Sequence, residues 1–117
     1  MHIEKRKPST SKTYRETKHA LESLEGARLE LQGLHKRIET KITELSSYLR
    51  NVKDSNVSKR AAEEMNKLKL HRKKVEEASG LIEDLDLTQW LEVKKEVQQT
   101  FAKAQNVILS ANSIMEK

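Results

Sequence analysis

His35 and His71 are the residues of this chain whose spacing best suits chemistry. In an antiparallel hairpin pivoting at Asp54, His35 lies 19 residues before the pivot and His71 17 after it. The two imidazoles are then expected at nearly the same height, near Thr100 and Phe101 of a third segment. Imidazole titrates near pH ~6.5 and ligates zinc, so such a pair would make a metal-ligand pair or a pH-sensitive layer. It would equally make a polar layer that fixes helix register, with the rings bonded to each other, to Thr100 or to water. Zinc needs further ligands and the spacing offers no third, so the polar layer is the expected role. No metal and no other cofactor is expected. His2 and His19 join no such pattern.

Charge is the second chemical signal. Residues 58–74 hold Lys59, Arg60, Lys67, Lys69, Arg72, Lys73 and Lys74 against Glu63 and Glu64, and residues 76–96 reverse the sign. With a net charge of +5, a basic block of this kind can meet an acidic protein surface or a phosphate backbone. Only four aromatic residues are available for base stacking, and no separate recognition helix follows a tight turn. Nucleic acid is therefore the alternative and an acidic protein the expectation. Much of the block is expected to be solvated helix face crossed by ion pairs such as Glu64 with Lys67. Catalysis finds no support: there is no glycine-rich phosphate loop, no His-Glu-x-x-His and no Ser/His/Asp arrangement. The carboxylates are expected on wet faces, where nothing raises a pKa for acid–base work. The chain is not expected to be an enzyme.

The elements that must position these groups are legible in the apolar residues. Leu24, Leu31, Ile38, Leu45 and Val52 step every seventh residue, and Ala27, Leu34, Ile42 and Leu49 fill the gaps. A helix brings such positions onto one stripe, a seam for other helices. Val57, Ala61, Met65, Leu68, Val75, Ala78, Ile82 and Leu85 repeat the pattern, as do Trp90, Val93, Val97, Phe101, Ala104, Ile108, Ala111 and Met115. One proline and three glycines in 117 residues, with 35% hydrophobic and 35% charged residues, disfavour strands and suit a thin bundle. The short polar connections at 53–56 and 85–87 imply antiparallel neighbours. The expected fold is all-α: an antiparallel up-down-up three-helix bundle with coiled-coil-like packing and a long first helix. A flexible basic tail at 1–11 precedes a bundle over 12–117, with helices at about 13–52, 57–84 and 87–115.

Three features refine this plan. Thr13 with Glu16, and Asp86 with Gln89, fit capping boxes, whereas Ser79-Gly80 is a candidate early stop for the second helix. Trp90 is expected in the core, pinning the second turn. A first helix of about 40 residues, ~60 Å long, outruns two neighbours of about 28, so Tyr14, Leu21 and Leu24 are expected to overhang the bundle. The expected function is a non-enzymatic protein-interaction or scaffold module. It would bind a helical or acidic protein, or a second copy of itself, through Tyr14, Leu21 and Leu24 of the overhang and Lys67, Lys69, Arg72, Lys73 and Lys74 of helix two. Alternatives are nucleic-acid binding by the same basic block and a small assembly or export chaperone. With no apolar run near the ~18 residues of a membrane span and none after Lys5-Arg6-Lys7 to serve as a signal peptide, a cytoplasmic or nuclear location is expected; the lack of cysteine does not fix the compartment.

Overall fold

The computed structural model describes residues 21–116. Nearly all of them lie in three helices: α1, Leu24–Asn51; α2, Ser55–Glu83; and α3, Leu87–Met115. Each helix packs against both others, and short turns reverse the chain between them, giving the up-down-up bundle. Among the described residues no helix is long and apolar enough to cross a membrane.

The helix starts are set by side chains that satisfy orphan amides. Ser23 Oγ accepts from the Gly26 amide at 3.0 Å, and Asp54 Oδ1 accepts from the Asn56 and Val57 amides at 2.8 and 3.2 Å. At α3 the capping box is complete: Asp86 Oδ1 accepts from the Gln89 amide at 2.9 Å, and Gln89 Oε1 accepts from the Asp86 amide at 3.0 Å. The Ser23 cap corrects one expectation. Residue 23 is extended (φ −108°, ψ 153°), so α1 starts at Leu24 and does not run unbroken from about residue 13. The stop is local, because a hydroxyl that accepts an amide three residues on competes with helix propagation through itself. α1 therefore has 28 residues against 29 in each neighbour, and no described part of it overhangs them. The tail at 1–11, the Thr13–Glu16 box and Tyr14 lie outside the described residues.

The second helix passes through Ser79-Gly80 to Glu83. No glycine here takes a left-handed cap; instead α1 supplies the C-terminal partner. Arg28 Nε donates to the Ile82 carbonyl at 3.2 Å, and its Nη2 donates to the Glu83 and Leu85 carbonyls at 2.9 and 3.5 Å. A guanidinium fork thus satisfies carbonyls that the helix end leaves open, and favours the negative end of its dipole.

The core follows the apolar ladders. Leu31, Leu34, Ile38 and Leu45 of α1 pack with Leu68, Val75 and Ile82 of α2 and with Trp90, Val97 and Phe101 of α3. Trp90 closes the end near the second turn, as its position suggested, and its Nε1–H donates to the Glu22 carbonyl at 3.3 Å. Leu21 is only 5% exposed and belongs to the same core, while Leu24 packs half-buried against it. Both serve the interior rather than a projecting arm. Glu64 is the exception among polar residues. It occupies a core position at 7% exposure, correcting the expectation that every carboxylate stands on a wet face.

Candidate functional site

His35 and His71 do not form a pair. His35 Nε2 shares a 2.7 Å hydrogen bond with Glu76 Oε2, and its Nδ1 lies 3.8 Å from Glu39 Oε1. Its partner on α2 is thus five residues beyond His71, ~7.5 Å further along the helix. The displacement has a steric cause. Helical side chains lean toward their own N-terminus, which is away from the turn on α1 and toward it on α2. Contacting residues are therefore offset from those at equal count from the pivot. Among the described residues no cluster of three or more His, Asp or Glu could hold a metal ion.

His71 faces α3 instead, among cations. Burial, then Lys74 and Lys103, hold its imidazole below the ordinary value of 6.5. Below that value the unfolded chain takes up the proton before the folded chain does, so this site favours folding less as pH falls. A circular-dichroism Tm series from about pH 7.5 down to about pH 5.5 should show a decline that His71→Gln reduces by a few degrees, because glutamine cannot titrate. An unaltered pH profile in the variant would remove His71 from the account.

The basic block of α2 does not present one face. At 100° per residue, Lys67 and Lys74 share a stripe on the α3 flank with Arg60. Lys69 and Lys73 turn outward, and Arg72 lies on the opposite flank, toward α1. Lys67, Lys69, Lys73 and Lys74 are exposed and Arg72 is half-buried. Lys67 pairs with Glu64 Oε2 at 3.3 Å, the ion pair its spacing suggests. What the bundle brings together is Lys67, Lys74 and half-buried His71 from α2 with exposed Lys103 from α3.

Sequence reasoning missed a second basic feature, a groove of about 400 Å³ between α1 and α3. Lys36, Arg37, Thr40 and Lys41 line it from α1, and Gln105, Ile108, Leu109 and Asn112 from α3. The available signal was Leu109, an apolar residue off the α3 seam. Lys41 pairs with Glu44 at 2.7 Å, and no carboxylate lines the groove itself.

These features belong to a larger segregation of charge. The His35–Glu76 contact and the groove shared by Lys36 and Gln105 mark one level across the bundle. On the side of the α2–α3 turn, residues 21–35 and 76–104 carry ten carboxylates and four Lys or Arg. On the other side, residues 36–75 and 105–116 carry twelve Lys or Arg and six carboxylates. The described residues are neutral in sum, so the bundle is an electric dipole, and the net +5 falls to residues 1–20 and Lys117. No protein-family model, no curated protein and no solved structure matches this chain, so its functional reading rests on this geometry.

Proposed function

We propose that the protein is a non-enzymatic helical-bundle interaction module that binds an acidic protein surface through the basic half of the bundle. Lys67 and Lys74 on the α2–α3 flank are its main contacts, with Lys69 and Lys73 extending the charged field and Lys103 adding a cation from just across the border with the acidic half. The observation that carries this reading is the separation of a basic half from an acidic half in a bundle of zero sum charge. A one-sided field steers an oppositely charged surface and orients it on arrival. The described aromatics argue for protein over nucleic acid: Trp90 and Phe101 are buried and Tyr48 is half-buried, which leaves no exposed stacking platform among these residues.

Fluorescence anisotropy with labelled polyglutamate and with a short DNA duplex tests the proposal. Polyglutamate should bind more tightly than the duplex at about 0.15 M salt, and Lys67→Glu with Lys74→Glu should weaken it by about tenfold or more, because each reversal replaces attraction by repulsion. Lys67 is the ion-pair partner of buried Glu64, so this double variant should also lose stability, and Lys73→Glu with Lys74→Glu, both exposed, is the variant whose melting curve should hold. Tighter duplex binding with a steep salt slope would favour the nucleic-acid reading, and unchanged polyglutamate binding in the variant would refute the assigned surface.

A further inference from the structure

We propose that the acidic surface met by Lys67 and Lys74 belongs to a second copy of this chain, packed antiparallel on the α2–α3 face about a twofold axis. The inference rests on the acidic-partner reading above and names the partner. The residues concerned share one face. At about 100° per residue, Leu70, Lys74, Glu77 and Leu81 fall within about 30° of a single line down α2. Lys74, Glu77 and Leu81 line a groove of about 210 Å³ together with Glu96 and Thr100 of α3. Lys103, seven residues after Glu96, stands on the same flank beside His71. Leu70 and Leu81 are 51% and 49% exposed, so two large apolar side chains lie uncovered about three turns apart. Lys74, Glu77, Glu96 and Lys103 are exposed, and none has an ion-pair partner among the described residues.

Leucines and charges together select the occupant. On α2 the midpoint of Leu70 and Leu81 is also the midpoint of Lys74 and Glu77, between residues 75 and 76. On α3 the midpoint of Glu96 and Lys103 falls between residues 99 and 100. These midpoints share a height. Ala78 with Val97, and Lys74 with Thr100, flank one groove, which sets residues 75 and 76 beside residue 99. A single twofold at that level, perpendicular to the helices, therefore places Leu70 opposite Leu81, Lys74 opposite Glu77 and Glu96 opposite Lys103, each of them twice. Lys67 falls level with Asp84 of the other copy, so none of these pairs sets like charges together. A face whose basic and acidic ends exchange under a half turn is complementary to itself. Two helices wide, at ~10 Å spacing, and overlapping over roughly 35 Å, it presents about 700 Å² per copy, within the range of standard stable interfaces. Isologous pairing of this kind closes at two subunits.

Sedimentation velocity on the full chain, over a concentration series up to roughly 100 µM, tests the pairing. A dimer is expected, and it should weaken as salt is raised. Lys74→Glu and Glu77→Lys should each raise its Kd by about tenfold or more, because each sets like charges opposite at two places. An equimolar mixture of these two variants should pair again near the original Kd, since position 74 of one then meets the opposite charge at position 77 of the other. Only contact between copies produces that rescue. Leu81→Asn should also weaken the dimer, yet bind labelled polyglutamate at least as tightly as the parent because its lysines are intact. A parent that binds polyglutamate but stays monomeric overturns the pairing and leaves the acidic-partner reading standing. A mass growing beyond two, or a mixture as weak as its components, overturns the pairing as well.

Discussion

Replacing Trp90 with alanine is expected to lower the unfolding free energy by about 3–5 kcal/mol, enough to unfold a marginal domain. The indole is nearly inaccessible and ties α3 to the chain ahead of α1 through its bond to the Glu22 carbonyl. Truncation would open a cavity where three segments meet, and would strand that carbonyl. At about 4–8 °C per kcal/mol, the Tm measured by circular dichroism at 222 nm should fall by more than about 12 °C. Trp90→Phe keeps most of the apolar volume and loses only the N–H donor, so its cost should be about 1–2 kcal/mol. If both variants melt together with the parent, the indole is not the closure of this end. Leu21, in the same core, is held by a second bond from α3: its carbonyl accepts from Gln98 Nε2 at 3.2 Å, about two turns beyond Trp90. A melt of Trp90→Ala should therefore release residues 21–23 along with the core.

Glu64→Leu should act in the opposite direction, stabilising the bundle by about 1–3 kcal/mol. The carboxylate is desolvated, its Oε2 meets Lys67 at 3.3 Å, and its Oε1 has no hydrogen-bond partner. Lys67 keeps most of its own hydration, so the pair returns little of the cost of burying the glutamate. Leucine fills similar volume, completes the apolar stripe of Ala61, Met65 and Leu68, and leaves no orphan acceptor. A rise in the urea midpoint with an unchanged m-value would identify a gain in native stability. A fall would mean that the carboxylate has a donor which outweighs its desolvation.

Much of the fold was legible because helix seams are a local property of sequence. The seven-residue ladders of α2 and α3 became their buried faces, and the Asp86–Gln89 box formed as its spacing required. The start of α1 was less legible, since the apolar spacing of Leu21 and Leu24 continues a helical pattern through Ser23. Only the cap geometry, with the carbonyls of Leu21 and Glu22 claimed by α3, separates a helix from a bent lead-in. Glu64 escaped for a related reason. A charged residue at a seam position reads as an interruption of the stripe, and the neighbours that bury it come from elsewhere in the chain.

By itself the sequence determined three amphipathic rods, their order, their turns and two charge blocks on the second and third, because periodicity and capping act over a few residues. Tertiary structure alone decided how the rods are staggered. The lean of side chains toward each helix's N-terminus set His35 against Glu76 rather than His71. The same stagger added Glu22, just ahead of α1, and Glu25 and Glu30 of α1 to the acidic half and Lys36, Arg37 and Lys41 to the basic one, and joined Lys103 to Lys74. Charge segregation over a whole bundle depends on which residues share a height, and height is fixed only when the helices pack.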